Sequence, residues 1–172
     1  MPEAMKKTLV VMGSAPELLA DLVRLGRISA DFMAVNRTGF RFLRPLKWWC
    51  SYHPDAWVRE GWHEKRRKAG GNMDFTAVIH APCFKLESSG FPVEVCSGPR
   101  LTGSSSLFGV LFGLARGYRR VIVAGAPLDH PDYAYFREGW RMQSDVLRGR
   151  VSSLSGWTKT FLEGLDNGAA TH

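Results

Sequence analysis

No apolar run in the 172 residues is long enough to cross a bilayer: the longest, residues 107–115, falls well short of the roughly 20 that a membrane helix needs. Residues 1–7 are polar, and the apolar run Thr8–Met12 (TLVVM) that follows them is too short for a signal-peptide core, so the expected compartment is the cytoplasm. Cysteine is sparse. Cys50, Cys83 and Cys96 are widely spaced and form no C-x-x-C pair, which excludes a disulfide framework and a zinc ribbon and suits a reducing compartment. Several chemical signatures are also missing. No lysine follows a glycine as in a Walker A loop, no G-x-G-x-x-G opens a dinucleotide-binding turn, and no G-x-S-x-G marks a nucleophile elbow. There are no internal repeats and no low-complexity tracts.

What remains has the make-up of a globular protein. With 45% hydrophobic and 23% charged residues the chain can bury a core, and its length fits one domain, residues 1–172, with a frayed tail over 166–172. A formal charge of +7 and a pI near 9.7 favour anionic partners, among them nucleotides, nucleic acid or a membrane surface. Charge does not choose among these.

Along the chain, short β-branched runs alternate with amphipathic stretches. Thr8–Met12 ends in Gly13-Ser14-Ala15-Pro16, and Pro16 opens a helix with Leu18, Leu19, Leu22, Val23 and Leu25. Residues 31–36 and 48–53 predict two more strands, 76–81 a fourth, and 91–96 a fifth that Pro92 places at an edge. Residues 55–69 predict one surface helix, with Trp57, Val58 and Trp62 inward and the run from His63 to Lys68 outward. A serine cluster at 104–106 starts a further helix, followed by strand 121–124. Gly109, Gly113 and Gly117 leave one face of that helix bare for close packing on a sheet. Residues 133–147 and 155–165 predict the last helices. The expected fold is a Rossmann-like three-layer α/β/α sandwich with a mainly parallel sheet of about five or six strands. Thr8–Met12 should be central, with 31–36 on one side and 121–124 on the other.

In such sheets a ligand sits beyond the carboxyl ends of the strands, where the strand order reverses. The loops that reach this place carry Gly13-Ser14-Ala15-Pro16, Asn36, His53, and Gly125 through Asp129-His130. The segment Arg100-Leu101-Thr102-Gly103-Ser104-Ser105-Ser106 joins them. It combines free N–H groups at a helix start, hydroxyls and an arginine, the parts of an anion site, and reads equally well as an ordinary serine cap.

Together these loops resemble the bacterial CMP-sialic-acid-dependent sialyltransferases and related Rossmann-like proteins, some of which are pterin diphosphokinases. The resemblance rests on Gly13-Ser14-Ala15-Pro16-Glu17 after the first strand, Asn36 after the second, and Arg100-Leu101-Thr102-Gly103-Ser104 before a helix ending Gly117-Tyr118. It continues with Ala124-Gly125-Ala126 and Asp129 after the strand that follows, so that it covers residues 8–136 with a gap in the middle. It implies a pocket for a cytidine nucleotide formed by Gly13, Ser14, Asn36, Arg100, Thr102, Gly103, Ser104, Gly125 and Asp129. It also implies that Tyr133 contacts the leaving phosphate, with a CMP-type nucleotide or nucleotide sugar as ligand and no further cofactor or metal.

One part of the family pattern is absent. The sialyltransferases carry a histidine base before the last helix, and the matching stretch here, residues 150–157 (RVSSLSGW), has none. His53 and His130 stand in site loops and are the candidate replacements. Three functions stay open: a nucleotide-sugar-dependent transferase, a non-catalytic nucleotide or nucleic-acid-associated binding module, and a diphosphotransferase. The nucleic-acid alternative draws on the basic run 63–68 beside Trp48, Trp49, Trp57 and Trp62, which a solvated helix over core tryptophans explains as well. The oligomeric state is not legible.

Overall fold

A computed structural model describes residues 8–98 and 102–168. All pairs in its seven-stranded sheet are parallel, in the order β5-β4-β3-β2-β1-β6-β7. The strands are β1 (Thr8–Met12), β2 (Asp31–Val35), β3 (Trp48–Ser51), β4 (Thr76–Ile79), β5 (Val93–Val95), β6 (Arg120–Ala124) and β7 (Val151–Ser153). β1 lies between β2 and β6, with Val10 opposite Phe32 on one side and Ile122 on the other. The strand order therefore reverses beside β1. The sheet exceeds the expected five or six strands because β7 pairs with β6, its residues Val151, Ser152 and Ser153 facing Val121, Ile122 and Val123. A three-residue strand with two serines carries too little apolar signal to stand out in the sequence.

The period of two along each strand divides the core between the two sheet faces. Leu9, Val11, Met33, Val35, Cys50, Val121 and Val123 belong to one buried cluster, and Val10, Met12, Ala34, Trp49, Ile122 and Ala124 to the other. The first face is covered by α6 (Ser105–Ala115), α7 (Ala134–Met142) and α9 (Gly156–Gly168), with α8 (Ser144–Leu147) between the last two. The second is covered by α1 (Leu18–Leu25), α2 (Thr38–Arg41), α3 (Pro54–Glu60), α4 (Trp62–Lys68) and α5 (Phe84–Glu87). The result is the expected three-layer sandwich.

α6 crosses β1, β2, β3 and β6, and its glycines are what allow it so close. A Cβ on Gly113 would lie 2.5 Å from Leu9 Cδ2, and one on Gly109 would lie 2.8 Å from Met33 Sδ. Gly117 does not extend the stripe, since it follows the helix in a left-handed turn.

Other expectations change in detail. The single helix over 55–69 is split into α3 and α4 by Gly61, and the segment 133–147 into α7 and α8 after a short 3-10 turn, Pro131–Tyr133. α9 runs to Gly168, so residues 166–168 are helical where a frayed tail was expected. Arg66 in the basic run is fully buried, not solvated. It donates to the carbonyls of Gly39, Phe42, Arg44 and Asn72 at 2.6–2.9 Å, which satisfies the guanidinium and ties α4 to the segment after β2. Trp49, Trp57 and Trp62 are core residues against Phe75 and Phe91, so none of the three is an exposed platform for stacking on bases. Among the described residues, no helix is long and apolar enough to cross a membrane.

Candidate functional site

A cleft of about 630 Å³ opens at the carboxyl end of the sheet, over the point where the strand order reverses. Its walls are the loops after β1, β2, β3 and β6, the start of α6, and the turn leading into α7.

The loops after β1 and β6 meet at the bottom. Gly13 donates its N–H to Ala124 O at 2.8 Å, and Ala15 donates to Gly125 O at 3.0 Å. A side chain on Gly13 would meet Gly125 O at 2.3 Å, so this contact needs a residue without a Cβ. Beneath the loops lies Asp21 of α1, fully buried. Its Oδ2 accepts from Gly125 N–H at 2.8 Å and from the Ser155 hydroxyl at 2.7 Å, and Arg24 reaches its Oδ1 at 3.3 Å. One carboxylate thus joins α1, the β6 loop and the β7–α9 connection. Asp21 was not singled out in the sequence, although its place on the face shared by Leu18, Leu22 and Leu25 marks it as a polar residue inside an apolar stripe.

Asn36 has a left-handed backbone (φ 52°), a conformation that asparagine tolerates better than most residues. It is held there from three sides: its N–H donates to Cys50 O at 3.0 Å, its carbonyl accepts from Trp49 Nε1 at 2.7 Å, and its Oδ1 accepts from the Ser51 hydroxyl at 2.8 Å. Leu128 is the second non-glycine residue with positive φ among those described, and it also lines the cleft. Its carbonyl accepts from both Nε and an Nη of Arg137, at 2.9 and 2.6 Å. Thr158 binds the carbonyls of Ala126 and Pro127. Backbone strain of this kind persists where the surroundings over-determine it, and here it sits on two walls of one cleft.

The start of α6 forms the third wall. Ser104 is its N-cap, with Oγ accepting from Leu107 N–H at 3.3 Å and lying 3.1 Å from Ser106 Oγ. Ser105 Oγ accepts from Tyr52 N–H at 3.3 Å. All three serines are buried and line the cleft beside Gly103. The capping role and the anion-site role coexist, because the cap takes Leu107 N–H and leaves those of Ser105 and Ser106 for a ligand.

Of the residues singled out in the sequence, Gly13, Ser14, Asn36, His53, Gly103, Ser104, Gly125, Asp129, His130 and Tyr133 line the cleft. Thr102 does not. Its hydroxyl donates to Phe136 O at 3.3 Å, behind the wall. Arg100 lies outside the described residues. Asp129 has a structural task, since its Oδ1 accepts from Trp157 N–H at 2.7 Å and caps the start of α9. His130 is also engaged: its Nδ1 faces Asp132, 3.3 Å from that residue's N–H and 3.4 Å from its carboxylate. His53 is exposed, lines the cleft, and has no side-chain hydrogen bond among the described residues. Glu17, Asp132 and Phe136 are lining residues that the sequence reading missed. Among the described residues, no lysine or arginine lines the cleft, and no group of three or more His, Cys, Asp or Glu side chains is placed to hold a metal ion.

No protein-family model matches the chain, and no curated protein sequence matches it significantly. Solved structures do. The sialyltransferase CstII from Campylobacter jejuni, in complex with the substrate analogue cytidine-5'-monophosphate, superposes with a TM-score of 0.56 at 10% identity, over 88% of this chain and 81% of that one. Its complex with CMP-3FNeuAc gives 0.56 over 92% and 84%, again at 10% identity. The apo α-2,3-sialyltransferase from Campylobacter jejuni gives 0.57 at 10% identity, over 91% and 78%. The chain has a fold similar to these sialyltransferases. At this identity the likeness is one of fold alone.

Proposed function

We propose that the chain binds a CMP-type nucleotide in the switch-point cleft and uses it as the donor in a nucleotide-sugar-dependent transfer. The observation that carries this reading is the start of α6, where the N–H groups and hydroxyls of residues 104–106 face the Gly13–Gly125 contact across one cleft. A helix start supplies unpaired N–H donors and positive partial charge to a phosphate. Asn36, with its Oδ1 held by Ser51, has its amide nitrogen left to donate to a ribose or a base.

Charge favours one phosphate over several. The described lining holds three carboxylates, Glu17, Asp129 and Asp132, and a ligand of lower negative charge meets less repulsion from them. A nucleoside monophosphate, the leaving group of a CMP-sugar, makes the smaller demand. This weighs against diphosphoryl transfer, which requires a triphosphate donor. It is also consistent with the substrate analogues named for the Campylobacter structures, both of which are CMP compounds.

Of the two histidines, His53 is the proton acceptor in this reading, because its side chain has no hydrogen-bond partner among the described residues, whereas Nδ1 of His130 is engaged by Asp132. Calorimetric titration with CMP tests the nucleotide site. Wild type should bind, Asn36→Ala should bind at least about tenfold more weakly, and Ser104→Asp should fail to bind measurably, since it keeps a capping oxygen and adds a negative charge among the donors. No heat with wild type at millimolar CMP, or equal binding by all three proteins, would refute the reading.

A further inference from the structure

The two ends of the sheet differ in charge. All strand pairs are parallel, so every strand starts at one end of the sheet and points toward the cleft at the other. The cleft end carries Glu17, Asp129 and Asp132, and no lysine or arginine among its described lining. The amino end is basic. Arg44 and Lys47 stand before β3, Arg27 before β2, Arg119 and Arg120 at the start of β6, and Arg150 before β7. All six are exposed, and none has an ion pair among the described residues. Of the carboxylates near this end, Asp31 accepts from the Tyr118 hydroxyl, Asp166 from Gly149 N–H at 2.8 Å, and Asp145 faces Arg148 at 3.9 Å, while Asp74 before β4 is exposed. The balance at the amino end stays positive. We infer that this end docks on a negatively charged lipid surface, with the loops before β2 and β3 entering the headgroup layer and the cleft facing away from it.

Spacing and side-chain type point to a surface. In sheet order the cations run from β3 through β2, β1 and β6 to β7, four strand spacings of about 4.8 Å each, so the row is about 19 Å wide. That width opposes several headgroups at once rather than a single small anion. Two aliphatic side chains stand among the cations: Ile28 beside Arg27 is 37% exposed, and Leu43 beside Arg44 is 43% exposed. Their loops lead into the neighbouring strands β2 and β3, and Phe42, next to Leu43, stacks on Phe32 of β2 at 5.8 Å. Charge alone holds a protein loosely at a lipid surface, and an apolar contact beside the charge supplies the second attachment. Nucleic acid would meet the same cations, but the aliphatic tips offer it nothing. Nor does any exposed aromatic side chain among the described residues stand at this end to stack on a base. The carboxylates at the cleft end add to the orientation, since an anionic surface repels them while it attracts the amino end.

Cosedimentation with vesicles tests this, using phosphatidylcholine alone and phosphatidylcholine with about 30% phosphatidylglycerol. Wild type should pellet with the second and stay in solution with the first, and about 0.5 M salt should release most of it. A cation near the surface is worth about fivefold in partitioning, so the double variants Arg27→Gln with Arg44→Gln and Arg119→Gln with Arg120→Gln should each lower it about 25-fold. Leu43→Ser, which keeps every charge, should lower it at least about threefold. All five residues are exposed, so the variants should melt like wild type, which a thermal melt checks. Equal pelleting with both vesicles, or pelleting that ignores either arginine pair or Leu43→Ser, would overturn the docking. So would tight binding to a DNA duplex of about 20 base pairs, read by fluorescence anisotropy, without pelleting on vesicles. The cleft lies at the other end of the sheet, so none of these outcomes depends on CMP binding.

Discussion

Replacing Asp21 by alanine probes the joint on which the cleft is built. The carboxylate is fully buried and receives three hydrogen bonds, from the buried Gly125 N–H, from the half-buried Ser155 hydroxyl and from Arg24. The Gly125 N–H left without an acceptor costs about 1–3 kcal/mol, and the Ser155 hydroxyl, which can turn toward water, adds about 1 kcal/mol for its lost hydrogen bond. Part of this is offset, because the variant no longer takes a charge out of water. The net loss expected is therefore about 2–3 kcal/mol, a substantial share of the roughly 5–15 kcal/mol that holds a domain together. The Arg24 contact contributes little to this sum, since its side chain is 61% exposed and such pairs are worth about 1 kcal/mol or less. Urea denaturation of wild type, Asp21→Ala and Arg24→Ala separates the two contributions. A loss below about 1 kcal/mol for Asp21→Ala, or an equal loss for Arg24→Ala, would refute the view that backbone capture by a buried carboxylate fixes the loops.

Three further outcomes follow from other parts of the fold. Gly113→Leu should lower stability by more than about 1–3 kcal/mol in the same urea assay, because a side chain there drives α6 off Leu9 and Val121; a near-neutral result would mean that the face is not packed. The hydrogen bond from Arg37, reinforced by Trp62, holds the Glu60 carboxyl down at about 2. Its folded pKa is below the unfolded value of about 4.3, so its stabilisation is present above that value and is lost as pH falls toward 2. An NMR acid titration should show that low midpoint, and Arg37→Ala should return it toward the ordinary glutamate range. Cys50 is buried, with burial pushing its thiol pKa up, whereas Cys83 and Cys96 are partly exposed. A thiol reagent should accordingly label Cys83 and Cys96 in the native protein and reach Cys50 only after denaturation.

The parts of this fold that could be read from the sequence are those governed by local pattern. β1, β2 and β6 are short β-branched runs ended by glycine or asparagine, and their order around β1 follows from the parallel-sheet rule once the helices between them are recognised. Most of the cleft lining was legible for the same reason, since loops that leave the carboxyl ends of adjacent strands must converge. What escaped depends on contacts distant in sequence. Nothing local marks Asp129 as the cap of a helix that starts 27 residues later, Thr102 as a residue turned toward Phe136, or Arg66 as buried beneath the carbonyls of residues 39–44. β7 was hidden by its serines. Asp21 could have been found, since a carboxylate within an apolar helical stripe must be satisfied by something.

A crystal structure of the protein grown with CMP would test the nucleotide site most directly. The phosphate is expected on the N–H groups and hydroxyls of residues 104–106 at the start of α6, with Asn36 bonded to the ribose or the base. CMP bound elsewhere, or a cleft left empty at a CMP concentration that saturates binding in solution, would contradict it.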